Sequence, residues 1–289
     1  MPTELSVDRW KEIVDVLYIM GVRQIVLTGG EPTLYDGAFE LAAYARPRML
    51  VSMVSNAKRL LANRMGITER LHTIDLISLS VDAFVNEAGQ VDREAVDRAR
   101  YILDTAKLNR EMILTITHDN IDMIAVIAGN VMARGFGVRL SLVHAPNRGV
   151  LYSFRGADSS LAVMPEDVSR IQNMVSDLLV IKDTHARLLD SRPFLEGLVS
   201  FVANAPSMSC PVGLKTMEID TDGLVHACQD CVSSGLTPEQ VMAQPDPDGF
   251  LKHLKPEGCR CHYSHYYRHS SIVEGLQTGF TRMRGMIIR

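Results

Sequence analysis

Five runs rich in apolar and β-branched residues recur along the first half of the chain: "RQIVLTGG", "RMLVSMVSNA", "IDLISLSVDA", "EMILTITHDN" and "VRLSLVHAPNRG". Segments with helical spacing separate them, namely "GAFELAAYARP", "KRLLANRMG", "REAVDRARYILDTAKL" and "IDMIAVIAGNVMARG". A further helix, "SVDRWKEIVDVLYIMG", precedes the first run. Val7, Trp10, Ile13, Val14, Leu17 and Met20 share one face of it, Ser6 is placed to cap its start and Gly21 to close it. Strands alternating with helices leave few solutions: βαβ units that build a parallel sheet, either open or curled into a barrel.

Such sheets bind ligands at the carboxyl ends of their strands. The residues just past each run are small and polar: Thr28-Gly29-Gly30-Glu31-Pro32, Ser55-Asn56, Ser80-Val81-Asp82, Thr117-His118-Asp119-Asn120 and His144-Ala145-Pro146-Asn147. Contact with water accounts for most of these taken singly. The first is more specific. Two adjacent glycines let a ligand approach the backbone, Glu31 offers a carboxylate to a cationic amine, and Pro32 fixes the turn. A phosphate site would carry Lys, Ser or Thr in place of an acid that repels the anion, so the stretch fits an amino-acid-like ligand.

With 289 residues, 46% of them hydrophobic, the chain can bury a sizeable core. A net charge of -4 and a pI near 6.1 argue against a nucleic-acid partner held through a basic face. No apolar run is long enough for a membrane span, and "MPTELSVDRW" lacks the features of a secretory signal, so the expectation is a cytoplasmic protein with no membrane partner. The five cysteines are Cys210, Cys228, Cys231, Cys259 and Cys261. Their CxxC and CxC spacing without an export signal indicates a metal site before a disulfide framework.

"LTGGEPTLY" resembles the GGEP motif of the radical S-adenosylmethionine (radical SAM) enzymes. The "TELS" lead into the first helix, "VSN" after the next strand and "ISLSVDA" after the one following are similar to that family too, over residues 3 to about 150. The resemblance implies an α/β fold, a partial (β/α) barrel, with S-adenosylmethionine held by its amine at Gly29, Gly30 and Glu31 and the turn shaped by Pro32. Asn56, Ser80 and Asn120 become candidates for its carboxylate or ribose by position. The family's chemistry also implies a [4Fe-4S] cluster on a CxxxCxxC loop, reductive cleavage of S-adenosylmethionine and hydrogen abstraction from substrate.

This chain has neither that loop nor the strand ahead of it. Their joint absence is expected of a sequence starting short of its natural N-terminus. A degenerate, non-catalytic homologue binding S-adenosylmethionine or a partner would sooner keep the strand, because an unpaired sheet edge is a liability. The expected divisions are a barrel over 1–150, a helical connection over 151–203 and a Cys-rich unit over 204–289. "MPEDVSRIQNMVSDLLVI" and "PFLEGLVSFVAN" read as the connecting helices, and "KTMEID" and "LVHAC" as a hairpin around Thr-Asp-Gly.

The Cys-rich unit resembles the auxiliary-cluster extensions of the family (SPASM and Twitch type), which act on peptides or other bulky substrates. The implied cofactor is a second [4Fe-4S] cluster on Cys210, Cys228, Cys231 and either Cys259 or Cys261, with zinc as the rival. A flavodoxin- or ferredoxin-like reductant and a peptide or small-molecule substrate are the implied partners. His262, His265 and His269 sit beside the last cysteines and suit a polar surface as well as a ligand role.

Overall fold

The computed structural model describes residues 5–62, 66–86, 88–143, 159–204, 216–228, 233–254 and 284–288. Strands β1 (Val22–Leu27), β2 (Leu50–Ser55), β3 (Leu76–Ser80), β4 (Glu111–Ile116) and β5 (Gly137–Leu142) lie side by side in chain order, every pair parallel. Helices α1 (Val7–Ile19), α2 (Ala38–Ala45), α3 (Lys58–Leu61), α4 (Ile67–Arg70), α5 (Arg93–Thr105) and α6 (Ile124–Met132) supply the lead-in and the crossovers. Strands added always on the same side by right-handed crossovers put all the helices on one face, the winding of a barrel.

The sheet's two faces differ in chemistry. Ile25, Leu27, Val51, Met53, Ile77, Leu79, Met112, Leu114, Ile116, Val138, Leu140 and Leu142 are buried in one apolar core with Trp10, Ile13, Val14 and Leu17 of α1. That helix forms as its spacing requires, with Ser6 Oγ accepting from Arg9 N at 3.2 Å and Gly21 at φ +87° past its end. The alternate strand positions build a polar inner floor. There Gln24 Nε2 donates to Ser52 Oγ (3.0 Å), Ser78 Oγ donates to Glu111 Oε1 (2.6 Å) and Arg139 Nε pairs with Glu111 (3.0 Å).

Helices α7 (Val168–Thr184) and α8 (Arg192–Val202) pack on each other, as the connecting segments predict. Between them the chain runs along the free side of β5, with Val138 N donating to Arg187 O (2.8 Å) and Leu189 N donating to Val138 O (2.9 Å). The expected hairpin is β6 (Thr216–Ile219) with β7 (Val225–His226), antiparallel, around a turn with Gly223 at φ +81°. Two short helices follow, α9 (Pro238–Met242), which packs on α1, and α10 (Pro247–His253).

The sequence leaves the far side of β1 without a partner. Strand β8 (Arg284–Ile288) lies there, parallel to β1 and also to β6, so one eight-stranded sheet runs β5-β4-β3-β2-β1-β8-β6-β7. The helix expected over "KRLLANRMG" is a single turn, α3, preceded by Ala57 in the left-handed conformation. A second turn, α4, starts after Gly66 at φ +62°. A left-handed Gly66 cannot sit inside a right-handed helix, so α4 starts afresh after it.

Candidate functional site

The loop after β1 turns on Gly29, whose φ of +110° disfavours any L side chain. A Cβ added at Gly30 would meet nothing within 4 Å, so this peptide faces open space. Glu31 then caps the short 3₁₀ turn Pro32–Leu34. Its Oε1 accepts from Thr33 N (3.2 Å), Thr33 Oγ1 (2.5 Å) and Ser55 Oγ (2.9 Å), and its Oε2 accepts from Asn56 N (2.7 Å). Each carboxylate oxygen has two acceptor positions. Oε1 is therefore saturated, whereas Oε2, with one bond among the described residues, keeps capacity for a second donor such as an ammonium group.

This carboxylate ties the ends of β1 and β2 together before any ligand arrives. Ser55 and Asn56 belong to the turn after β2, and Ala57 takes φ +63° so that the chain turns just past the Asn56 amide. Asn56 Oδ1 accepts from Lys58 N (3.0 Å) and starts α3, while Arg59 Nη1 donates to Thr33 O across the two loops. Glu31 and Asn56 are thus brought together, with Gly30 beside them. Ser80 stands apart at the end of β3, its Oγ donating to Asp82 Oδ2 (3.0 Å). Asn120 spends both ends of its amide on the β4 turn, accepting from Thr117 N (2.9 Å) and donating to Thr115 O (2.8 Å).

His118, in the same turn, places Nδ1 2.9 Å from Asp167 Oδ2. Asp167 is buried, accepts from Met164 N (3.1 Å) and pairs with Arg170 (2.9 Å), which in turn grips Asp122 (2.7 Å). Burial alone would push the Asp167 carboxyl up, but hydrogen bonds from His118, the Met164 amide and Arg170 outweigh it and hold the group below its ordinary range. The hydrogen bond from Arg170 likewise holds Asp122 down. Sequence reading missed Glu111, Arg139 and Asp167, because their signal is long-range pairing and not a motif.

Cys228 is buried just past β7. Cys210, Cys231, Cys259 and Cys261 lie outside the described residues, as do His144, Asn147, His262, His265 and His269. Among the described residues no group of three or more His, Cys, Asp or Glu could hold a metal ion. Among them also, no helix is long and apolar enough to cross a membrane.

Residues 1–128 match the radical SAM superfamily. The chain is 28% identical over 236 residues to the mycofactocin maturase MftC of Mycolicibacterium smegmatis, covering 78% of this chain and 57% of that protein. A 117-residue stretch is 31% identical to the PqqA peptide cyclase of Bradyrhizobium diazoefficiens, covering 39% of this chain and 30% of the relative. The chain thus spans little more than half the length of the first of these relatives. Among solved structures, native anSMEcpe with bound AdoMet and a peptide superposes with a TM-score of 0.56 at 16% identity, covering 87% of this chain and 76% of that one. At that identity the likeness is one of fold. The sheet described above is that of the partial radical SAM barrel.

Proposed function

Because this chain carries a radical SAM domain over residues 1–128, we propose that it binds S-adenosylmethionine at the loop after β1 and belongs to an enzyme that modifies a peptide. One observation carries the binding proposal: Glu31, locked by four hydrogen bonds, keeps an acceptor position on Oε2 beside the open Gly30 peptide. The amine of the methionine moiety suits that position. The peptide substrate is inferred from the relatives, a mycofactocin maturase and a peptide cyclase, and from the peptide held by the structural neighbour. A flavodoxin- or ferredoxin-like donor and a cytoplasmic setting complete the reading.

The thiolates of a SAM-cleaving cluster are not in this chain, whose cysteines all lie at position 210 or later. Radical chemistry is proposed for a form of the protein that supplies a CxxxCxxC loop ahead of α1. For the Cys-rich segment the reading is an iron-sulfur cluster; the buried Cys228 thiol is the one candidate ligand among the described residues. When bound, such a cluster would supply or accept single electrons.

Calorimetric titration with S-adenosylmethionine tests the binding proposal. In Glu31→Gln the amide oxygen can serve the three donors now on Oε1, which turns an NH2 toward Asn56 N–H and removes the acceptor for the ligand. Affinity should fall at least about tenfold, the loss expected for a charge-assisted bond. Equal affinity in the two proteins would sink the assignment of Glu31. Intact-mass measurement of the native protein separates the two forms, since a product with an upstream CxxxCxxC supports the enzyme and one beginning at Met1 supports a binding protein. Anaerobic iron and sulfide analysis decides between cluster and zinc: about four irons per chain is expected, and one zinc without sulfide would replace the cluster.

A further inference from the structure

His118 lies two residues past the end of β4, three strands across the sheet from the loop of Glu31, a span of about 14 Å at ordinary interstrand spacing. Its backbone N–H donates to Leu161 O at 3.0 Å, anchoring the residue to the segment ahead of α7. The imidazole is 49% exposed, whereas Asp167, 2.9 Å from Nδ1, is 4% exposed. Asp167 is ionised in this setting, and an ionised carboxylate can only accept, so Nδ1 carries the ring hydrogen and Nε2 presents its lone pair. No described residue occupies Nε2. Stability alone does not call for this arrangement, since Asp167 already receives Arg170 and the Met164 amide, and a half-exposed imidazole gains little from pairing.

We propose that His118 and Asp167 form a proton-transfer dyad at the ligand end of the sheet, with Nε2 taking a proton from an N–H, O–H or S–H group of the bound substrate. The Nε2 lone pair forms the new N–H bond, the electrons of the broken bond stay on the substrate heteroatom, and Asp167 balances the imidazolium. No electron changes hands, so the step needs no co-reactant. Arg170 from α7 and Asp122 from the turn before α6 are the other charged groups bonded into the dyad, and Asp119 and Glu166 adjoin it in sequence. Arg170 is shared between two carboxylates, which leaves the surroundings able to accept positive charge on the ring. The identity of the ligand rests on the proposed function, which this inference deepens by requiring a dissociable proton in the substrate.

The test uses the whole chain with diethyl pyrocarbonate, which acylates an unprotonated ring nitrogen, and reads each histidine by peptide mass mapping between about pH 5 and 8. His118 should react faster than the exposed His72 and His253, whose Nδ1 atoms also face oxygen acceptors, although those acceptors are backbone carbonyls. Asp167→Ala removes the acceptor that fixes the hydrogen on Nδ1, so the ring can carry it on Nε2 and the His118 rate should drop at least about fivefold. The 15N shifts of the His118 ring in the unaltered protein report the same tautomer without any substitution. An Nε2–H tautomer there, or an unchanged rate in a folded Asp167→Ala protein, would overturn the dyad. Failure of S-adenosylmethionine to bind would instead sink the proposed function and leave both readouts unaffected.

Discussion

Ala57 shows how a single residue ties backbone geometry to the site. It holds φ +63° with its methyl fully buried, one position past the amide that reaches Glu31 Oε2. A left-handed non-glycine residue costs about 1–2 kcal/mol. Ala57→Gly would remove that strain, lose roughly 0.8 kcal/mol of methyl burial and gain about 0.4–1 kcal/mol of unfolded-state freedom. The terms nearly cancel, so urea denaturation should place Ala57→Gly within about 1 kcal/mol of the parent. Ala57→Val brings a β-branched side chain into the same conformation in a filled space. It should cost about 2–4 kcal/mol and weaken S-adenosylmethionine binding through Asn56 and Glu31. A Val variant as stable as the Gly variant would mean that the turn relaxes and does not hold Glu31 in place.

At the scale of elements, β8 has the widest consequences. Five residues near the C-terminal end of the chain pair with β1 on one side and β6 on the other, which makes them the link between the five-stranded half-barrel and the hairpin. Removing residues 284–289 would strip ladder bonds from both neighbours, each worth about 0.5–1.5 kcal/mol, and bare the edge of β1. We expect a loss of several kcal/mol by urea denaturation together with growth of light scattering, as an open edge recruits other chains. A truncated protein that stays monomeric and equally stable would show that β8 contributes little. Strands β1 to β5 were legible in the sequence because long β-branched runs with helices between them leave one arrangement. Strand β8 was not, since "RGMII" is short and pairs with residues more than two hundred and fifty positions away, which leaves no local trace. The same contrast holds at the site. Gly29, Gly30 and Glu31 announce themselves as a motif, whereas Asp167 meets His118 through a contact 49 residues apart in the chain.

Over the whole molecule, the two sides of the half-barrel are closed by segments from elsewhere, β8 beside β1 and residues 187–189 beside β5. The second closure buries an acid. Asp190 is 4% exposed, accepts from Leu140 N at 2.7 Å, and has Arg139 Nη1 only at 3.9 Å, with Glu111 nearby. Burial pushes its carboxyl up to about 7, against the partial relief given by the Leu140 amide and Arg139. The folded state then holds a proton that the unfolded state releases near pH 3.8, so the contribution of Asp190 to stability is fully present below that pH and is lost as pH rises toward 7. The carboxyls held low, Asp122, Asp167 and Glu239, act in the opposite sense but at lower pH. Every other ionisable group is common to both proteins, so the useful quantity is the difference between the parent and Asp190→Asn. Asn keeps an acceptor for Leu140 N and cannot ionise. The difference should be near zero at about pH 4 and grow in favour of the variant to as much as about 4 kcal/mol by pH 8. A difference independent of pH would mean that Asp190 is ionised when folded and that its pairing with Arg139 is closer in solution. The seam along β5 would then be held by charge, and removing Arg139 would open it.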